Sequence, residues 1–132
     1  MIPFRVVFKP GTPIHQQVCY AAKKAMVSGQ LRPGDPFPSV RVLGKELKIN
    51  PNTAHKVISK LLDDGLLEVT PGIGTVVAQA PSSTAAERSL LLDRQMEHLV
   101  VEAVRLGLDQ DDLARALQRH WSRLNQHVAK GD

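Results

Sequence analysis

The tetrapeptide Asn50-Pro51-Asn52-Thr53 leaves its surroundings little choice but to start a helix. An Asn at the N-cap accepts hydrogen bonds from amides that have no intrahelical partner, and Pro suits the first helical position because no donor is needed there. Beyond it Ala54, Val57, Ile58, Leu61 and Leu62 recur at helical spacing and form one apolar stripe. Asn52, Thr53, His55, Lys56, Ser59 and Lys60 occupy the other side, and Asp63-Asp64-Gly65 ends the helix. A helix so divided needs a scaffold behind its apolar stripe, and the flanking segments provide one.

Upstream, Ser39 caps a short helix with Val40, Leu43 and Leu47 facing inward, and Lys48-Ile49 makes a tight turn into the next helix. The segment Leu31 to Pro38 is too rich in proline for a helix, and Leu31 and Phe37 are its inward anchors. Ile14, Val18, Ala21, Ala22, Ala25 and Met26 define a first helix, capped by Thr12 with Pro13 in its first turn and ended at Ser28-Gly29. Met1 to Phe8 alternates weakly and reads as a short strand or an extended arm. Downstream, Leu66-Leu67-Glu68-Val69 and Thr75-Val76-Val77-Ala78 read as strands joined by a tip at Thr70 to Gly74. Three helices, a tight turn between the second and third, and a hairpin predict a winged helix-turn-helix over residues 1–79. The fold class is mainly α with a small β-hairpin.

Such a third helix fits the major groove, since its outer face is polar where its inner face packs on the scaffold. Asn52, Thr53, His55 and Lys56 lie in the turns that reach base edges; Asn pairs bidentately with adenine, and the Thr methyl meets that of thymine. Free amides around Ser39 and Asn50 suit phosphate oxygens, and Arg41 and Lys45 flank the same backbone. The plain alternative is a three-helix fold with a solvated face, or a winged-helix protein-interaction module without specific DNA binding.

Charge favours the polyanion. Residues 1–79 hold ten Lys and Arg against five Asp and Glu, whereas residues 80–132 hold seven against eight, so the basic excess lies wholly in the first part. Aromatic residues are 4%, which leaves the core to aliphatic side chains and argues against stacking of single-stranded RNA on a sheet. Cys19, the single cysteine, reads as a small packed thiol and excludes a disulfide framework. The five histidines follow no metal-ligand spacing, Gly72-Ile73-Gly74 lacks the context of a nucleotide loop, and no nucleophile–base pair stands out. No enzyme, cofactor or metal is expected. No apolar run approaches a membrane span, so the expected setting is cytoplasmic.

Residues 80–86, with Pro81-Ser82-Ser83-Thr84, read as a hinge, and 87–130 as a two-helix dimerisation region. Leu92, Met96, Leu99, Ala103 and Leu106 share one helical face, broadened by Val100 and Val104. Gly107 breaks the helix, Asp109 caps the next one, and Asp111 and Asp112 suit its positive end. Leu113, Leu117, Trp121, Leu124 and Val128 line that last helix. Two amphipathic helices enclose no core alone, so a second copy is the expected cover. Folding back onto the winged part is the alternative. A dimer would present two reading helices to an inverted repeat. A small-molecule effector is allowed, but no convergent polar cluster identifies one.

The runs Pro13-Ile14-His15-Gln16-Gln17-Val18, Ser28-Gly29-Gln30-Leu31-Arg32-Pro33-Gly34-Asp35 and Phe37-Pro38-Ser39-Val40-Arg41-Val42-Leu43 resemble the GntR family of bacterial transcription regulators. So do Asn50-Pro51-Asn52-Thr53-Ala54, Gly65-Leu66-Leu67-Glu68 and Gly72-Ile73-Gly74-Thr75-Val76-Val77. The opening Met1-Ile2-Pro3-Phe4-Arg5, the Asn50-Pro51-Asn52-Thr53 element and the short tail are similar to the YtrA subfamily, which implies a small dimeric repressor, often of a transporter operon. The resemblance puts Arg41 on the DNA backbone or a nearby base. It implies Asn50, Asn52, Thr53 and His55 at the major groove, and Gly72 at a wing tip in the minor groove. The chain departs from the pattern where the family commonly has Arg, at His55 and Pro36, and its wing tip carries no cation. Fewer phosphate contacts weaken binding and flatten its salt dependence. His55→Arg is therefore expected to tighten general duplex binding in a salt titration, and equal or weaker binding contradicts this reading.

Overall fold

The computed structural model describes residues 2–79 and 83–130, with side chains as far as Asn125. It divides into two compact units, one built on residues 1–81 together with 124–132 and the other on 82–123.

In the first unit α1 (Ile14–Val27), α2 (Val40–Leu47) and α3 (Pro51–Asp63) surround an aliphatic core, and β1 (Leu67–Thr70) and β2 (Gly74–Val77) form an antiparallel hairpin. Val18 and Ala22 of α1, Leu43 of α2, and Ala54, Val57 and Leu61 of α3 are wholly withdrawn from solvent. These are the inner positions of the three amphipathic patterns, so burial follows the helical period. Leu31 and Phe37 anchor the intervening loop in the same core, and Cys19 packs there as a thiol whose pKa is pushed up by burial. Ile14, expected on the inner face of α1, is instead exposed in its first turn.

Local features refine the expectation at three places. Thr12 does not cap α1: the N-cap residue is Pro13, with no side-chain cap, and the Thr12 carbonyl instead accepts a hydrogen bond from Gln17 Nε2 at 2.8 Å. Of the two readings of the segment before α1, strand or extended arm, the described residues form the arm. It is held by Phe4, buried and stacked on Phe37 with ring centroids 5.8 Å apart. The wing also gains an unexpected neighbour, because Pro36 bridges to Val76 and the Phe37 N–H donates to the Thr75 carbonyl at 2.9 Å. The proline-rich loop thus runs as a short third edge along β2. Proline is tolerated there because an edge position need not donate on both sides.

The second unit starts earlier than its polar sequence suggests. Thr84 and Glu87 make a reciprocal capping box, Thr84 Oγ1 accepting from the Glu87 N–H and Glu87 Oε1 from the Thr84 N–H. Ala85 and Ala86, placed in the hinge by sequence, are therefore helical, while residues 80–82 lie outside the described residues. The helix continues without a break through α4 (Ala85–Ser89), a π-helical stretch (Leu90–Gln95) and α5 (Met96–Arg105). In the π stretch the Met96 N–H donates to the Leu91 carbonyl, five residues back. Gly107, at φ 79°, turns the chain into α6 (Gln110–Lys130). Asp109 and Asp112 cap one another there, and the bond from the Asp109 backbone holds the Asp112 carboxyl below the usual carboxylate range.

Two substitutions test the first unit from opposite directions. Leu43→Ala removes a side chain with no exposed surface and is expected to cost about 2–5 kcal/mol, read as a fall in the thermal midpoint. Lys48 sits in the left-handed region (φ 56°, ψ 47°), so Lys48→Gly is expected to gain up to about 1 kcal/mol. A lower midpoint for Lys48→Gly would contradict strain at that turn.

Candidate nucleic-acid interface

The two helices of the reading motif are started by side chains and joined by one strained residue. Ser39 Oγ accepts the Val42 N–H at 3.2 Å at the head of α2, and Asn50 Oδ1 accepts the Asn52 N–H at 2.8 Å at the head of α3. Each cap satisfies one amide of its first turn and leaves the others directed outward. Between them Lys48 takes the left-handed conformation, and the Lys48 and Ile49 N–H groups both converge on the Gly44 carbonyl. That closes α2 within a single residue and brings the start of α3 directly after it.

Burial fixes which side of α3 faces out. Ala54, Val57, Ile58 and Leu61 are buried, so Asn52, His55 and Lys56 are exposed and Thr53 is half-buried at the margin. His55 Nδ1 lies 3.4 Å from Ser59 Oγ, one helical turn along, which ties its ring to the polar face. Lys60, the next cation on that helix, pairs with Asp64 at 3.3 Å, so part of its charge is met within the chain. On α2, Arg41 and Lys45 are four residues apart and both exposed. All of these residues belong to one continuous helix-turn-helix.

The wing is short. Leu67 pairs with Val77 and Thr70 with Gly74, leaving Pro71, Gly72 and Ile73 as the tip. Gly72 has φ 80°, a conformation that a side chain would strain, and Ile73 is 71% exposed. The tip thus presents backbone and one aliphatic side chain rather than charge.

In the second unit Leu92, Met96, Leu99, Leu117 and Trp121 are exposed and Leu113 is half-buried; Leu124, which groups with the first unit, is half-buried as well. Ala103 does not belong with the exposed set: it is buried, and its carbonyl receives the Leu108 N–H in the turn that follows. The Val128 side chain lies outside the described ones. Sequence reasoning overlooked Leu90 and Leu91, which lie in the π stretch and are also exposed, because a strict α-helical period passes over them. Among the described residues no His, Cys, Asp and Glu group is arranged to hold a metal, and no helix is long and apolar enough to cross a membrane.

Comparison with known proteins agrees with this geometry. Residues 15–77 match the family described as bacterial regulatory proteins, gntR family. The chain is 30% identical over 106 residues to the HTH-type transcriptional repressor YtrA of Bacillus subtilis, covering 80% of this chain and 82% of that protein. It is 28% identical over 111 residues to the uncharacterized HTH-type transcriptional regulator YhcF of the same organism, covering 84% and 92%. Both matches are longer than the winged part and so extend into the tail. Among solved structures, a protein from Listeria monocytogenes described as a transcriptional antiterminator superposes with a TM-score of 0.78 at 22% identity, covering 92% of this chain and 91% of that one, a likeness of fold. With its helix-turn-helix, wing and helical tail, the chain belongs to the GntR family of bacterial regulatory proteins and is a sequence-specific DNA-binding transcription regulator.

Proposed function

We propose that the protein works as a homodimeric repressor of an inverted-repeat operator, with α3 of each copy in the major groove. The observation that carries the groove assignment is the division of α3: its inner stripe is buried, and its first two exposed turns offer Asn52, His55 and Lys56. Asn52 and Thr53 are the base-reading side chains in this proposal, and His55 and Lys56 reach the groove wall. Ser39, Arg41, Lys45 and Asn50 hold the phosphates that bracket it, and Gly72 lets the wing tip lie close against the minor groove. Repression, as against activation, follows the named function of the Bacillus relative, and control of a transporter operon is part of the same proposal.

Dimerisation rests on the second unit. Among the described residues from 83 to 123 only Ala103 is buried, so this unit has no core of its own. Leu92, Leu99, Leu117 and Trp121 are each more than half exposed. Apolar side chains in that number are a liability on a monomer, and two helix pairs packed face to face would withdraw them together. Trp121 is the natural anchor, since tryptophan is among the side chains that most often dominate the binding energy of such a surface.

Two outcomes are expected. Fragments selected from genomic DNA by the protein should share an inverted repeat. A single asymmetric half-site recovered with a monomer in solution contradicts the proposal. Trp121→Glu should shift the protein toward monomer in sedimentation and lower operator affinity by about tenfold or more, with helix content kept. A dimer that withstands this change would rule out the tail face as the contact.

A further inference from the structure

We propose that the segment before α1 is a third DNA-contacting element, in which Arg5 and Lys9 hold backbone phosphates and supply the charge that the wing lacks. The inference rests on the DNA-binding reading above and adds residues outside the helix-turn-helix and the wing.

Both ends of the segment are fixed. At one end Phe4 is 6% exposed and stacks on Phe37, with an interplanar angle of 18°. Phe37 is itself bonded to the wing through Thr75 and stands two residues ahead of Ser39, the cap of α2. The stack therefore sets Arg5 beside the junction of wing and α2. At the other end the Gln17 side chain works as a strand neighbour would. Its Oε1 accepts the Lys9 N–H at 2.9 Å, and its Nε2 donates to the Lys9 carbonyl at 2.9 Å and the Thr12 carbonyl at 2.8 Å. The segment thus runs from the start of α2 to the start of α1.

Charge distribution agrees with this placement. Phe4 points inward, and Arg5 and Lys9 are exposed. Among the described residues neither is in an ion pair, whereas Lys60, Arg105 and Arg115 are. Ordering an exposed loop costs conformational entropy, and here an aromatic stack and three hydrogen bonds hold two unpaired cations in place, ready for a polyanionic partner. A phosphate backbone needs only correctly spaced positive charge, with no base recognition.

The test is the salt dependence of binding to a mixed-sequence duplex of about 30 base pairs, since each phosphate contact adds about 0.9 to the slope of log K against log salt. Arg5→Ala and Lys9→Ala should each flatten the slope by about one and weaken binding, with unchanged melting temperature, and Arg5→Lys should restore it. Phe4→Ala, which frees the segment but keeps both cations, should flatten the slope as well. Should that variant fail to fold, the two exposed positions carry the test alone. Slopes equal to wild type overturn the proposal, as does a loss that Arg5→Lys leaves unrescued. A wild-type protein that does not bind the duplex refutes the DNA-binding reading itself, and this proposal with it.

Discussion

The seam between α3 and the two helices behind it is the constraint from which the rest follows. Val18 and Ala22 on one side, Leu43 on the other, and Ala54, Val57 and Leu61 in the middle have no exposed surface. Close packing at that density leaves α3 one rotational setting, because turning the helix by a single residue would bury Lys56 or expose Val57. The polar face is presented by default, as the side that cannot be buried. Asn50 and Ser39 then decide where along its axis each helix begins, and so where free amides appear. Reading a groove demands this rigidity, since a bidentate pair with a base tolerates little displacement.

Much of this was legible in the sequence because it depends on local signals. The cap at Asn50, the inner stripes of α2 and α3, the hairpin with its glycine tip and the break at Gly107 are each stated within a few adjacent residues. What escaped depended on residues far apart in the chain. No periodic pattern joins Phe4 to Phe37, or Gln17 to the backbone of Lys9, and the third edge along β2 is hidden because Pro36 reads as a breaker. The left-handed Lys48 fell inside the expected turn, but nothing in its side chain announces that conformation. Thr84 with Glu87 three residues on was a readable helix start, obscured by the polar residues around it.

The candidate site shows the same division. Exposure of Asn52, His55, Lys56, Arg41 and Lys45 follows directly from the helical period. The tail was legible as a pair of amphipathic helices, yet its apolar surface is wider than the period implied. Leu90 and Leu91, in the π stretch at Leu90 to Gln95, add to it, as every described residue from 83 to 102 is exposed. Ala103, small enough to be enclosed, drops out of that surface. A weakly charged wing and a tail without a core both support the proposal that recognition is shared between two copies. In that proposal the tail sets the spacing of the two α3 helices and so becomes part of recognition.

Hydroxyl-radical footprinting of the protein on a selected genomic fragment tests this shared reading most directly. The account predicts two symmetric protected patches on one face of the duplex, their centres about 10 base pairs, or a multiple of that, apart. One patch, or two that vary independently in spacing from fragment to fragment, would contradict it.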